Sequence, residues 1–178
     1  MKSNYLTITA IFLSLFVSIS FTSCSSDDDG GSGGSAANGT VKAKIDGANF
    51  QSQEMFSTAT KVSAGGSTTM TLQGTDNSGK GFNFVINGYE GEGTYTFGGE
   101  SLGFIVGNYI EANASNPTAS QTWTAPYDDD SIRGELQIST DSEDNVTGTF
   151  EFTAKNSNGD GSIKNITEGS FNLDVTSF

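Results

Sequence analysis

The sequence predicts an all-β protein, an antiparallel β-sandwich of about eight to ten short strands with a small β-barrel as the alternative. Three observations carry this expectation. After residue 40, apolar and polar residues alternate with period two through nearly the whole chain. Glycine is abundant, at 23 residues, while proline is scarce, at two, and Gly, Asn and Asp gather between the alternating runs. No stretch beyond Phe21 places apolar residues at convincing helical spacing.

The first segment is of another kind. Met1 to Tyr5 carries one positive charge, and Leu6 to Phe21 is apolar with Ser and Thr interspersed, the layout of an export signal with a basic start and an apolar middle. A permanent span is the weaker reading, because the apolar run is short for one and stops at small residues rather than at a basic cluster. Those small residues, Thr22 and Ser23, precede Cys24, the only cysteine of the chain. The arrangement resembles a bacterial lipoprotein signal, with Phe21 where Leu is commonest and Ser23 where Gly or Ala is. That resemblance implies acylation of Cys24 and cleavage before it; an ordinary secretory signal with an incidental cysteine is the alternative.

Residues 24–39 are small and polar, with three consecutive aspartates and a Gly/Ser run, a flexible tether. Ser26-Asp27-Asp28-Asp29-Gly30 resembles the acidic surface-export signal of Bacteroidota lipoproteins. The partners implied are the membrane, through the lipid anchor at Cys24, and the lipoprotein export machinery, with the protein in the outer membrane facing outward. A solvated, self-repelling spacer is the competing reading of the same residues. Gly30-x-Ser32-x-Gly34 formally matches a hydrolase elbow, but no strand precedes it and the chain holds no histidine.

The division is therefore a signal peptide over 1–23, a tether over 24–39 and one β domain over 40–178. In the domain, Val41, Ala43 and Ile45 alternate with Lys42 and Lys44, and Asp46-Gly47 then supplies a type I′ hairpin signal. Met70 and Leu72 share a face, as do Phe82, Phe84 and Ile86. Asp76 to Gly81 turns the chain between these two runs. Tyr95 with Phe97, Leu136 with Ile138, Phe150 with Phe152, and Phe171 with Leu173 and Val175 repeat the pattern. Leu102 to Ala114 fits a bulged strand or a short helix, and its β-branched residues favour strand. Gln121 to Tyr127 alternates around Trp123 and ends at Pro126, which suits an edge or a strand end. The expected core is Phe84, Ile86, Leu136, Ile138, Phe150, Phe152, Phe171 and Leu173.

A short theme recurs at Gly93-Thr94-Tyr95-Thr96-Phe97, Gly148-Thr149-Phe150-Glu151-Phe152 and Gly169-Ser170-Phe171-Asn172-Leu173. Each reads as a glycine at a strand start, an outward hydroxyl, then two inward apolar residues flanking an outward one. Together with Ile45-Asp46-Gly47, the set resembles a family of small Bacteroidota lipoproteins known only as a domain of unknown function. It implies a β fold and an envelope address over about Val41 to Val175, and it transfers no catalytic residue.

Composition narrows the function. Formal charge is −13, and cleavage before Cys24 would remove Lys2 and no acid. Nucleic acid, which is held by clustered Lys and Arg, is excluded as the usual kind of partner. With no His and one Cys, neither a disulfide within the chain nor a His/Cys metal cluster can form, and no cofactor is expected. Ser-His-Asp and Cys-His catalysis are closed off as well. No catalytic residue is assigned, and the chain is expected not to be an enzyme.

Several constellations invite a binding role. Asn156-Ser157-Asn158-Gly159-Asp160-Gly161-Ser162-Ile163 resembles the first part of a calcium loop but lacks its first carboxylate, and Thr167 stands at the bidentate position; a hairpin loop is the plainer reading. Asp128-Asp129-Asp130 and Asp141-Ser142-Glu143-Asp144 would hold Ca²⁺ only if their loops met. Trp123 and Tyr127, with Tyr89 and Tyr109, fit either an exposed stacking platform for sugar rings or the core. Asp130-Ser131-Ile132 resembles an O-glycosylation acceptor of exported Bacteroidota proteins, at Ser131. The leading expectation is a lipid-anchored, non-enzymatic binding or structural module whose extracellular ligand the sequence does not identify. A barrel carrying an apolar ligand, suggested by the 13 phenylalanines, and a surface glycan-binding protein are the rivals.

Overall fold

The computed structural model describes residues 35–101 and 104–178. Eleven strands follow in chain order: β1 Thr40–Ile45, β2 Ala48–Gln51, β3 Ser57–Ala64, β4 Ser67–Thr75, β5 Lys80–Asn87, β6 Gly93–Thr96, β7 Ile105–Glu111, β8 Gln121–Ala125, β9 Gly134–Asp141, β10 Asn145–Asn156 and β11 Ile163–Ser177. Among the described residues, the only helical pieces are 3₁₀ turns at Glu54–Phe56, Gly99–Ser101 and Pro117–Ala119. The all-β expectation holds. The strand number exceeds the expected range partly because β3, STATKVSA, places little but Ala59 in the core and so shows almost no apolar alternation.

Local chemistry explains the ends of these strands. Asp46 and Gly47 have φ of 50° and 84°, the paired positive values that a type I′ turn demands, and Ile45 pairs directly with Ala48 across it. The ambiguous stretch is strand from Ile105, with Ile105, Gly107 and Tyr109 inward. Its β-branched residues stand where a pleated surface accommodates them.

All eleven strands belong to one sheet in the order β2-β1-β11-β3-β4-β5-β7-β8-β10-β9-β6, and β10 also pairs with β11. That last pairing closes the hydrogen-bonded ladder into a circuit of β3, β4, β5, β7, β8, β10 and β11. Two long strands make closure possible. β10 pairs with β9 over Val146–Phe152 and with β8 at Lys155 and Asn156, while β11 pairs with β1 as far as Asn172 and then runs parallel to β3 at Val175–Ser177. Between Phe150 and Phe152 the register with β11 slips, and Glu168 takes a φ of 52° opposite. Such a bulge bends and twists its strand.

Phenylalanine fills the interior. Phe84 lies 4.8 Å from Phe150, Phe97 lies 4.9 Å from Phe152, and Phe82 meets Phe50 edge-on at 5.1 Å. These spacings are those of favourable tilted and edge-to-face pairs. All eight expected core residues are buried. Of the recurring glycines, Gly93 starts β6 as expected, but the other two have another role. Gly148 and Gly169 lie within β10 and β11, where Gly148 pairs with Phe171 and Gly169 with Phe150. A Cβ on either glycine would run into the partner's ring. A Cβ on Gly107, opposite Phe84, would meet the Phe97 and Phe84 rings, whereas one on Gly74, opposite Phe82, would meet the Val41 and Ser52 side chains and one on Gly134, opposite Phe152, the backbone of that strand. The rings of Phe84, Phe97, Phe150 and Phe171 thus lie where glycines carry no side chain, which leaves room for a core this rich in aromatic side chains.

Candidate functional site

The outward face of the β3–β4 ladder ends in a cleft of about 760 Å³, within the size range of small-molecule sites. Thr58 and Gln73, direct cross-strand partners, contribute to its lining, and Thr75 follows on the same face of β4. One side is the 3₁₀ turn carrying Met55 and Phe56. The other is formed by the β4–β5 turn at Asp76–Gly79 and the β7–β8 connection from Ala112 to Ser120.

Backbone bonds hold each wall. The 3₁₀ turn is fixed by the Gln53 N–H donating to the Thr75 carbonyl at 2.9 Å, and the Ser57 hydroxyl donates back to the Gln53 carbonyl at 2.7 Å. In the β4–β5 turn, Asp76 Oδ1 accepts from the Ser78 N–H at 2.8 Å and the Lys80 N–H at 2.9 Å. The Ser78 hydroxyl lies 2.8 and 3.0 Å from the two carboxylate oxygens. Burial alone would raise the Asp76 carboxyl, but these hydrogen bonds and the Lys80 charge outweigh it and hold the group below the usual carboxylate range. The turn is tied to the next wall by the Ala112 N–H donating to the Gly79 carbonyl at 2.9 Å. In that wall Asn113 Oδ1 accepts from Ser115 and Asn116 N–H groups at 3.1 and 2.9 Å. The cleft is therefore formed before any ligand arrives.

Its chemistry is mixed. Met55 is 80% exposed and Phe56 45%, although both are apolar. Gln73, Thr75 and Asn77 carry side-chain donors and acceptors that make no hydrogen bond among the described residues. Asp76 is the single ionisable residue of the lining, and its oxygens are committed to its own turn. Sequence reasoning missed this site. The available signal was Met55-Phe56, an apolar pair outside any alternating run, flanked by Glu54 and Ser57.

The residues singled out from sequence are not brought together. Trp123 is 6% exposed, tilted against Tyr109 with ring centroids 5.6 Å apart, and its indole N–H donates to the Ser162 hydroxyl at 3.1 Å. It is core, so an exposed platform at Trp123 is corrected. Burial first, then the hydrogen bond to Glu111, raises the Tyr109 hydroxyl well above its ordinary value. Tyr127 is half-buried, its ring covered by the Arg133 guanidinium at 4.2 Å and its hydroxyl 3.0 Å from that of Thr153. Tyr89 is buried against Tyr95, and burial, followed by the nearby Asp141 charge, raises its hydroxyl too.

The two acidic loops flank opposite ends of β9, whose eight residues span about 25 Å, so they cannot share an ion. Asp128 pairs instead with Lys155 at 2.6 Å, Asp129 with Arg133 at 2.6 Å and Asp141 with Lys61 at 2.8 Å. The loop at Asn156 commits its side-chain oxygens to backbone donors of its own and of β8. Asn158 Oδ1 accepts from the Thr122 N–H at 2.9 Å, Asn156 Oδ1 from the Asn158 N–H at 3.2 Å, and Asp160 Oδ1 from the Ser162 N–H at 2.9 Å. Among the described residues, no group of three or more His, Cys, Asp or Glu is placed to hold a metal ion. Ser131 is exposed in the β8–β9 connection. Cys24 and the run Ser26, Asp27, Asp28, Asp29 and Gly30 lie outside the described residues.

Comparison with known proteins adds one finding. A family model described as Domain of unknown function (DUF6252) matches residues 37–173, well over half of the chain. No curated protein and no solved structure matches it.

Proposed function

The chain belongs to the domain-of-unknown-function family DUF6252, and we propose that it is a lipid-anchored outer-membrane lipoprotein whose β domain is a non-enzymatic binding module facing outward. The observation that carries the binding role is the preformed cleft, where backbone-anchored walls present exposed Met55 and Phe56 beside unpaired amides. Several features support a non-enzymatic reading. The chain contains no histidine, and the one carboxylate of the cleft is hydrogen-bonded within its own turn and held ionised, the opposite of a group poised for proton transfer. The anchor rests on Cys24 behind its small residues, and the outward address on Asp27, Asp28 and Asp29. The carrier alternative needs an internal cavity, whereas interlocked rings fill the interior at Phe82, Phe84, Phe97, Phe150 and Phe152.

Three forms of the full chain test the address. In cells fed a clickable palmitate analogue, the unaltered chain should be labelled and should be digested by protease added outside. Cys24→Ala should lose the label and be either uncleaved or released, since it lacks the acyl chains that contribute about 0.8 kcal/mol per buried CH₂. Replacing Asp27, Asp28 and Asp29 with Asn should keep the label and remove the digestion. Unchanged digestion of that variant would reduce the acidic run to a spacer, and a Cys24→Ala chain still labelled, or cleaved and yet membrane-retained, would refute the anchor.

A further inference from the structure

We propose that the cleft takes an uncharged saccharide, seated with one ring face on Phe56 and Met55 and its hydroxyls on Gln73, Thr75 and Asn77. This deepens the binding role proposed above and rests on it. Charge makes the first selection. No Lys or Arg lines the cleft to receive an anion. The Asp76 carboxylate, which would receive a cation, is already occupied by Ser78 and the Lys80 N–H. An anion would give up its hydration here without finding an opposite charge, and a cation would meet only the one carboxylate, whose Oδ1 already accepts from the Ser78 and Lys80 N–H groups.

Hydrogen-bonding capacity makes the second. Gln73 and Asn77 each offer two donors and an acceptor, and Thr75 one donor with two acceptor lone pairs, all without partners in the described chain. A sugar hydroxyl both donates and accepts, so neighbouring hydroxyls match side-chain amides in either direction. An acyl chain would cover Phe56 but leave both amides stripped of water and unpaired. The apolar wall makes the third selection. Met55 and Phe56 are exposed at 80% and 45%, and a fully polar ligand would gain nothing from them. A pyranose presents an apolar C–H face and a rim of hydroxyls, which corresponds to the two kinds of surface found side by side in the cleft. The walls are fixed by the backbone bonds described above, so little ordering opposes binding.

The test uses the full chain in detergent, with maltohexaose, cellohexaose and xylohexaose as neutral probes, sialyllactose as the anionic one and laurate as the acyl one. Calorimetry gives affinity, and hydrogen exchange locates the site. At least one neutral hexasaccharide should bind and protect residues 53–58 and 73–79, with sialyllactose weaker by at least about tenfold. Phe56→Ala and Gln73→Ala should each weaken that binding by about tenfold or more. Ser131→Ala, on the β8–β9 connection, should leave it unchanged. Both key side chains are exposed, so thermal melts of the variants should match the parent, and if Phe56→Ala unfolds, Gln73→Ala carries the test. No binding by any neutral hexasaccharide overturns the inference, as does binding indifferent to both substitutions. Laurate protecting the same segments would overturn the saccharide while leaving the binding role intact; protection of the cleft by none of the probes would count against both.

Discussion

Gly107→Ala tests the principle on which this core is packed. Gly107 sits inward on β7, opposite Phe84 on β5 and Ala125 on β8. A Cβ placed there would lie 2.8 Å from Phe97 Cε1, 3.1 Å from Phe97 Cζ and 3.3 Å from Phe84 Cδ1. Carbon atoms rest at about 3.5–4.0 Å, so the Phe97 ring must retreat by roughly 0.7 Å or more. It has little freedom to do so, being fully buried and packed on Phe84 at 6.1 Å and Phe152 at 4.9 Å. Overpacking of this kind costs about 1–3 kcal/mol. Two gains oppose it: about 0.4–1 kcal/mol from the less flexible unfolded chain and about 0.8 kcal/mol from the buried methyl. The midpoints leave a net loss of roughly 0.5 kcal/mol in urea denaturation. Trp123, the single and buried tryptophan, is a natural fluorescent probe. In a Phe97→Leu background the offending Cε1 and Cζ are gone, and Gly107→Ala should become neutral or stabilising, a coupling of at least about 0.5 kcal/mol. Strict additivity of the two substitutions would show that the glycine is not there to admit the ring. Gly169→Ala should resist such rescue, because its Cβ would also meet the Phe150 carbonyl, which no change of side chain removes.

Phe150→Ala or Phe171→Ala should each cost about 3–5 kcal/mol in the same assay, and a loss below about 1 kcal/mol at both would contradict their burial. Hydrogen bonds from the Asn165 backbone and Lys164 hold Asp46 below the usual carboxylate range, and Ser162 and Ser131 do so for Asp160 and Asp129, alongside the shift at Asp76. A depressed folded pKa contributes stability that is present above the unfolded value near 4 and is lost as pH falls through the folded one. Melting temperature should therefore be nearly flat from pH 7 to about 5 and fall below about 4; a maximum under pH 4 would refute the assignment. Millimolar Ca²⁺ should leave the melt unchanged, since the oxygens of the Asn156 loop already accept from backbone N–H groups. A chelator-reversible stabilisation near 2.7 kcal/mol, the value for a ligand at about 100 times its dissociation constant, would overturn that.

Much of the fold is legible in single stretches of sequence because period-two alternation is a local property. Phe82-x-Phe84-x-Ile86 identifies its inward face without knowledge of the partner strand, and Asp46-Gly47 specifies its hairpin through backbone preferences of those two residues alone. The address proposed for residues 1–30 is local too, read from spacing around Cys24. What the alternation leaves open is pairing. Nothing in Val175-Thr176-Ser177 announces a parallel partner in Ala59-Thr60-Lys61, so closure of the ladder could not be read off. Nor does Gly148 alone reveal that it faces Phe171, because that depends on the register between β10 and β11. The acidic loops look equivalent in sequence, yet β9 holds them apart and gives each its own cationic partner. The cleft is the extreme case. Met55, Gln73, Asn77 and Asn113 lie on four separate segments whose juxtaposition follows from the order of strands around the sheet. Long-range pairing is a collective outcome of burial and register, and only the tertiary structure decided which surface the exposed apolar pair would share with unpaired amides.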